Sequence, residues 1–164
     1  MASVAPMPLG RKLDIANAVF LLACASMYLG TGWSLVLFSF PVAPQLTPAN
    51  YQLQFVPQVT AATSFLTVMT ILMIVLGLVM VWREWRTGYR WVPIVMLVGV
   101  AAATAFTKMV IFPLNVEMAA GITDPERLKT VLARWMQTNR IRTGIWTVEW
   151  LAMTAYFWLI ALRK

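Results

Sequence analysis

The sequence predicts an all-α fold: a polytopic membrane protein with a bundle of four transmembrane helices. Four apolar stretches, at about 16–40, 59–82, 91–112 and 143–162, are each long enough to cross a hydrocarbon core of about 30 Å. In addition, 60% of the 164 residues are hydrophobic and only 12% are charged, more apolar surface than a small soluble domain hides. Helices satisfy their own backbone hydrogen bonds in lipid. We therefore expect one membrane domain over residues 1–164.

The first span, at about 16–40, is expected to be retained and not removed as a signal peptide. No basic residue precedes Arg11, and the stretch of 25 apolar or small residues lacks a convincing Ala-x-Ala cleavage site. Cys24 lies inside this span and is the one cysteine of the chain, so it cannot form an internal disulfide. We interpret it as a small buried apolar residue.

The connections between the spans differ in character. Segment 41–58 contains four prolines and little helical periodicity, which predicts an extended crossover on the outer surface. The connection 83–90 is short and makes the second and third spans an antiparallel hairpin. A Phe-Pro pair ends both the first and the third span, at Pro41 and Pro113, which raises the possibility of two duplicated two-helix units.

Segment 113–142 is expected to contain an extra amphipathic helix before the fourth span, at about 124–142. Thr123-Asp124-Pro125-Glu126 has the spacing of a capping box with proline in the first turn. The apolar residues that follow recur at i, i+3, i+4, i+7 and i+8: Leu128, Val131, Leu132, Trp135 and Met136. Nothing breaks the pattern before Gly144, so this helix either lies on the membrane or runs into the fourth span.

The net charge of +7 is distributed as in a membrane protein, which argues against nucleic-acid binding. Three basic clusters fall on one side of a four-span topology: Arg11 and Lys12; Arg83, Arg86 and Arg90; Arg163 and Lys164. Loop 41–58 on the other side is uncharged, and 113–142 carries five basic residues: Arg127, Lys129, Arg134, Arg140 and Arg142. The side with the three clusters has seven basic residues and the other side has five, which predicts that both termini are cytoplasmic.

The aromatic residues near the span ends predict interfacial belts. Trp82, Trp85 and Trp91 would form the inner belt, and Tyr51, Trp135 and Trp146 the outer one. The chain has no Arg/Ser-rich transit segment, which favours the bacterial inner (cytoplasmic) membrane over an organellar one.

The residue inventory argues against the common redox and nucleophilic centres. The chain has no histidine, so it lacks the ligands of bis-His haem, of His-ligated di-iron or copper sites, and the base of a Ser–His or Cys–His pair. Its 11 methionines lack clustered partners and are typical of gap filling between helices. We therefore expect no metal and no cofactor, and no catalytic residue can be assigned.

Charges inside the third and fourth spans point to a polar feature within the membrane. Lys108 and Glu149 fall at similar depth, and an unpaired charge there costs about 2.5–3.5 kcal/mol or more. We predict a structural ion pair between them, joined by Arg142. The alternatives are that Lys108 extends alone to the interface, or that these groups line a polar pocket or a proton relay.

A ligand site is predicted beside these charges, on the outer side. Trp135, Asn139 and Arg142 lie at i, i+4 and i+7 and so share one helical face. Asn115 and Glu117 can join them if the loop after Pro113 folds back. The set offers amides, a carboxylate, an aromatic wall and a cation, which suit a planar ligand with a polar edge. The alternative is that Trp135 and Arg142 only anchor the helix at the interface.

Several short motifs give the chain a resemblance to the anthrone oxygenase-like family of small four-helix membrane proteins. The motifs are Gly30-Thr31-Gly32, the prolines after the first span, Pro113-Leu114-Asn115 and Trp135-x-x-x-Asn139-x-x-Arg142. The resemblance implies a polar site at Asn115, Trp135, Asn139 and Arg142, and it implies oxidation of anthrones to anthraquinones. Many members have histidine where this chain has Asn139, and asparagine cannot take a proton near neutral pH.

Two classes of function follow. In the first, the protein is an accessory or structural subunit of a larger membrane assembly, without a redox cofactor, and its partners are membrane lipids and other membrane subunits. In the second, it is a binder of a planar hydrophobic molecule such as an anthrone or a quinone, or a cofactor-independent oxygenase-like enzyme. A transporter or channel is less favoured, because the spans lack midplane charges and broken helices.

Overall fold

The structure, a computed structural model, describes residues 8–162 and confirms the predicted all-α bundle. No strand occurs in this part of the chain, and four helices are long and apolar enough to cross a membrane. The helices are α1 (Leu9–Ser34), α2 (Tyr51–Glu84), α3 (Trp91–Phe106), α4 (Phe112–Ala120) and α5 (Pro125–Ala161). Two π-helical segments (Leu35–Ser39 and Thr107–Ile111) follow α1 and α3, and a 3-10 turn covers Ala43–Gln45.

The four membrane-length helices are α1, α2, α5 and the third span, which consists of α3 and its continuation to Ala120. They form a square arrangement. Helix α1 packs against α2 and α5, and α3 packs against the same two helices, so α1 and α3 stand at opposite corners. We call the end that holds residues 8–21, 80–95 and 153–162 the basic end. The opposite end, with residues 38–54 and 108–132, is called the loop end.

Polar contacts hold the helices together at the basic end. Arg83 forms an ion pair with Asp14 of α1, and the hydroxyl of Tyr156 donates a hydrogen bond to Glu84 at 2.6 Å. These contacts place the first two predicted basic clusters at one end of the bundle. The third cluster, Arg163 and Lys164, lies outside the described residues. The cytoplasmic orientation of this end stays a prediction.

Segment 41–58 is not the extended crossover that its prolines predicted. It contains the 3-10 turn, and its second half is helical because α2 begins at Tyr51 and continues through Pro57. Proline removes one helical hydrogen bond here, but Tyr51 anchors the helix start. The Tyr51 ring is fully buried, and its hydroxyl donates to the carbonyl of Met118 at 3.0 Å and accepts from the amide of Ile122.

The third span also continues beyond its predicted end at residue 112. Helix α4 follows the π-helical segment directly and ends at Gly121, whose φ of +96° suits glycine. Pro113 is compatible with this because it lies in the first turn of α4, where an amide hydrogen is not needed. The outer connection between the spans is therefore mostly helical.

The predicted amphipathic helix and fourth span form one continuous helix, α5, of 37 residues. Its N-cap is Asp124, whose carboxylate accepts a hydrogen bond from the amide of Glu126 at 3.0 Å. At about 55 Å, α5 is much longer than a hydrocarbon core. Its first turns therefore belong to the loop end, where Leu128, Val131 and Leu132 are buried.

The two π-helical segments have a common cause. Each ends one residue before a Phe-Pro pair, at Pro41 and Pro113. A proline ring clashes with the carbonyl four residues earlier, and a wider preceding turn relieves this clash. The phenylalanine amide before each proline bonds to the carbonyl five residues earlier, that of Leu35 or Thr107. The Phe-Pro echo in the sequence thus marks a shared backbone feature.

Candidate functional site

A cavity of about 1130 Å³ lies between the long helices in the half of the bundle nearer the loop end. All four long helices and both π-helical segments line it, and most lining residues are apolar. The polar residues that argue for a site come from α1, α2, α4, α5 and the π-helical segment after α3: Tyr28, Thr70, Thr107, Lys108, Asn115, Arg142 and Glu149. The cavity therefore involves α1 and α2 in addition to the third and fourth spans, which hold the residues of the predicted ligand site.

Helix α5 supplies the polar face of the cavity through a repeated spacing of three and four residues. Its inward positions are Leu128, Leu132, Trp135, Asn139, Arg142, Trp146, Glu149, Met153 and Tyr156. The stripe is apolar at both ends and polar in the middle. Of its residues, Leu132, Trp135, Arg142, Trp146 and Glu149 line the cavity. The charged residues Arg142 and Glu149 thus lie inside the bundle because they belong to the polar middle of this inward-facing stripe.

A chain of hydrogen bonds holds the Arg142 guanidinium in place. The indole of Trp135 donates to Asn115 at 2.9 Å, and the amide of Asn139 donates to the Trp135 carbonyl at 2.8 Å. The Asn139 oxygen accepts from one terminal nitrogen of Arg142, and the Thr107 hydroxyl accepts from the other at 3.3 Å. Asn139 is 1% exposed, so it orients Arg142 from behind and does not point to lipid.

The third nitrogen of this guanidinium, Nε of Arg142, is buried and has no hydrogen-bond partner among the described residues. The guanidinium carbon lies 4.5 Å from the centre of the Trp146 ring, close enough for a cation–π contact. Tyr28 packs edge-on against Trp146, with 4.8 Å between ring centres, and its hydroxyl donates to the Leu66 carbonyl at 2.6 Å. Arg142 is therefore held rigidly while one donor stays unused.

A second group of aromatic rings lies nearer the loop end. Phe55 and Phe40 contact Trp135 edge-on, with 4.7 and 5.7 Å between ring centres. All three rings line the cavity. Trp135 and Trp146 are 6% and 3% exposed and Tyr51 is fully buried, so these residues do not form the predicted outer interfacial belt. The inner tryptophans Trp82, Trp85 and Trp91 are exposed, as that belt requires.

The predicted ion pair between Lys108 and Glu149 is not formed. Both carboxyl oxygens of Glu149 are buried and lack a hydrogen-bond partner among the described residues, and the side chain is 1% exposed. Glu149 packs against Gly99 of α3, where a Cβ atom would lie 2.6 Å from its Cγ and Oε1. Lys108 is exposed and lines the cavity separately. The predicted matching depth is therefore wrong, because Glu149 packs beside Gly99, nine residues or about 13 Å from Lys108 along the third span.

Glu117 does not join the site either. Its carboxylate accepts a hydrogen bond from Arg127 at 2.6 Å in a partly exposed ion pair outside the cavity. Asn115, on the preceding turn of α4, does line the cavity. The structure therefore brings together Asn115, Trp135 and Arg142 at the cavity wall, with Asn139 directly behind them.

Tyr28, Trp146 and Thr107 are site residues that sequence reasoning did not include. A signal for Trp146 was present, because extending the Trp135, Asn139 and Arg142 spacing by four residues reaches it. Three more residues reach Glu149. The participation of Tyr28 and of α2 carries no comparable signal, since it depends on how the helices are arranged around the square.

Two glycines on α1 have opposite surroundings. A Cβ atom added to Gly30 would have no neighbour within 4 Å, and Gly30 lines the cavity. A Cβ added to Gly32 would lie 2.7 Å from Thr143 Oγ1 and 2.9 Å from the Trp146 ring. Gly32 therefore allows close packing of α1 on α5. Gly30 instead leaves space in the cavity.

Comparisons with protein-family models, with curated proteins and with solved structures gave no match for this chain. The resemblance to the anthrone oxygenase-like family thus stays a prediction that rests on the motifs.

Proposed function

We propose that the protein binds a planar hydrophobic molecule with a polar edge inside the membrane. The observation that carries the proposal is the Arg142 guanidinium, which borders an apolar cavity with two nitrogens fixed and its Nε donor unused. An unsatisfied buried donor costs about 1–3 kcal/mol, more for a charged group. A ligand that accepts this hydrogen bond would recover that free energy.

The shape and chemistry of the cavity support a ligand of this class. Its volume of about 1130 Å³ is slightly larger than the usual range of about 300–1,000 Å³ for small-molecule sites, which are mostly apolar with a few fixed polar groups. Trp135, Trp146 and Phe55 offer flat aromatic surfaces. Guanidinium N–H groups donate and never accept, so the matching edge of the ligand is an oxygen acceptor, such as the carbonyl of a quinone or an anthrone.

An oxygenase-like activity is the second candidate, and the resemblance to the anthrone oxygenase-like family favours it. Asn139 replaces the histidine of many members, and in this chain it positions Arg142 by accepting from its terminal nitrogen. An amide can do this but cannot remove a proton from a substrate. We therefore propose binding as the function. An assay with an anthrone and dissolved oxygen would show whether the protein also oxygenates its ligand.

The accessory-subunit hypothesis makes a different use of the same bundle. Exposed apolar side chains surround it, among them Phe20, Phe38 and Val98 at 63–71% exposure, and they fit lipid tails or neighbouring membrane helices. A purely structural subunit has no need of a cavity with an unused buried donor. Co-elution of stoichiometric partners in mild detergent, with no aromatic ligand, would favour this hypothesis over ours.

The test is equilibrium binding of 9,10-anthraquinone to the full chain in lipid nanodiscs, with empty nanodiscs to subtract partition into lipid. We expect saturable binding and quenching of tryptophan fluorescence. Gly30→Leu should weaken it, because Gly30 lines the cavity and a Cβ atom added there meets nothing within 4 Å, so the new side chain takes up part of the space. Gly144→Leu is the matched control, since Gly144 is exposed, lacks close neighbours and does not line the cavity. Binding that Gly30→Leu leaves intact would contradict the proposal.

A further inference from the structure

The second unusual group at the cavity is the Glu149 carboxyl. It differs from Arg142 in hydrogen-bonding character, since a carboxyl group has oxygens that accept and a guanidinium only donates. Both of its oxygens are buried without a partner among the described residues, and Glu149 lines the same cavity as Arg142. One wall of α5 thus presents an unused donor and an unused acceptor.

We propose that Glu149 is a second subsite of the cavity, which takes a hydrogen-bond donor of the bound molecule. The proposal rests on the proposed function and narrows its ligand to hydroxylated planar aromatics, with an oxygen acceptor at one place and a phenolic hydroxyl at another. Trp146 lies between the two polar groups on the same face of α5 and also lines the cavity, so a ligand that reaches both groups would pass beside it.

The spacing of the two groups restricts the ligand further. Arg142 and Glu149 are seven residues apart, which is two turns or about 10 Å along the helix axis. A hydroxyl on the carbon next to the carbonyl bonds within the molecule and cannot reach both groups. The donor must therefore lie on a distant ring position, as in 2-hydroxyanthraquinone and not in 1-hydroxyanthraquinone.

A neutral donor fits this subsite better than an organic cation. Two positively charged residues, Lys108 and Arg142, line the same cavity. A cationic ligand near Glu149 would lie beside the Arg142 guanidinium and be repelled by it. A phenolic hydroxyl donates without adding charge.

The packing of Glu149 gives it a fixed position. Gly99 leaves room for the carboxyl at the α3–α5 contact, because any side chain at this position would overlap Cγ and Oε1. A group held this way discriminates between ligands that do and do not donate, since an unmatched partner leaves the buried oxygens unpaired. The subsite is thus a determinant of specificity rather than of general affinity.

The test compares 2-hydroxyanthraquinone with 2-methoxyanthraquinone, which has the same rings and carbonyls but no donor. Each compound is titrated against the full chain in nanodiscs, at a pH where the phenolic hydroxyl is un-ionised. We expect the wild-type protein to bind the hydroxy compound about tenfold more tightly after correction for lipid partition, because one added hydrogen bond contributes about 1.4 kcal/mol. Equal affinities in the wild type would overturn the subsite without any variant.

Two variants locate the preference. Glu149→Met, of similar shape but without an acceptor, should remove the tenfold preference while 2-methoxyanthraquinone binds as before. Glu149→Gln should keep part of the preference, because its amide oxygen still accepts. A preference that survives Glu149→Met in folded protein, judged by gel filtration and circular dichroism, would place the donor elsewhere and overturn the proposal.

The same experiment separates this inference from the proposed function. If neither compound binds the wild type, or if Gly30→Leu leaves binding intact, the cavity is not a site for planar aromatics and both proposals fail. If both compounds bind and Gly30→Leu weakens both, but the wild type shows no preference, only the Glu149 subsite fails.

Discussion

The two halves of this bundle are formed by the same four helices but are filled in opposite ways. In the half at the basic end, methionine and small residues pack the interior, with Leu21, Met96 and Met153 at most 1% exposed. In the half near the loop end, aromatic rings and polar groups border a cavity of about 1130 Å³. The half at the basic end, which we call the closed half, therefore holds the helices together. The half near the loop end, the open half, has space for a ligand.

The contrast shows where an unsatisfied polar group can be tolerated. At the basic end the polar side chains Arg83, Glu84 and Tyr156 all have partners. At the cavity, Arg142 and Glu149 keep unused atoms. Such groups lower stability, and proteins retain such features mainly at functional sites. The following predictions test this division, from the largest expected change in stability to the smallest.

Truncation in the closed half should be the most damaging change. Met153→Ala removes a fully buried side chain from a packed interior, and we expect a loss of about 2–5 kcal/mol in the free energy of unfolding. Met109→Ala is the control, because Met109 is 77% exposed and should change stability little. Unfolding in detergent micelles, followed by circular dichroism, measures both. Equal losses for the two variants would show that the closed half is not tightly packed.

Two substitutions two residues apart on α1 should separate the closed contact from the open space. Gly32→Leu forces a side chain into Thr143 and Trp146 and should cost about 1–3 kcal/mol of stability. Gly30→Leu enters the cavity and should leave stability unchanged or raise it by up to about 1 kcal/mol through helix propensity. Thermal unfolding of both proteins is the measurement. A Gly30→Leu protein as unstable as Gly32→Leu would mean that the cavity is not open.

Removing the unpaired carboxyl should stabilise the protein. Glu149→Met replaces a buried group without a partner by an apolar side chain of similar size, and we expect a gain of about 1–3 kcal/mol. The gain should come with lost preference for a hydroxylated ligand. Chemical unfolding of the ligand-free protein measures the first effect, and a loss of stability would show that Glu149 has an energetic role within the fold.

The smallest effect is expected at Glu117. Its ion pair with Arg127 is partly exposed and lies outside the cavity, so Glu117→Gln should change stability by at most about 1 kcal/mol. Anthraquinone affinity should not change. A clear loss of affinity in a binding titration would restore Glu117 to the site from which the structure separates it.

The sequence predicted the fold class because hydropathy and length report directly on membrane spans. It predicted the shared face of Trp135, Asn139 and Arg142 because that face follows from helical geometry alone. The sequence-based prediction was wrong at segment 41–58. Its prolines favoured an extended crossover, but the hydrogen bond from Tyr51 to α4 anchors a helix there. Local sequence carries no information about that distant hydrogen bond.

The predicted Lys108–Glu149 pair failed for a related reason. Depth was counted from the predicted ends of the third and fourth spans, and both helices extend beyond those ends. Glu149 packs beside Gly99, nine residues or about 13 Å before Lys108 on the third span, so the two groups lie at different levels of the bundle. No sequence pattern predicts that α2 and Tyr28 contribute to the cavity, because their position there depends on the square arrangement of the four helices.

The central claim is that the cavity beside Arg142 is a binding site for a planar aromatic ligand. Crystals of the protein soaked with 2-bromoanthraquinone test it most directly, because bromine gives an anomalous signal that locates the ligand. We predict a peak inside the cavity, with a carbonyl oxygen at hydrogen-bond distance of about 2.7–3.2 Å from Arg142 Nε. Gly30→Leu crystals should show a weaker peak. Bromine found only on the lipid-facing surface, with lipid filling the cavity, would contradict the account.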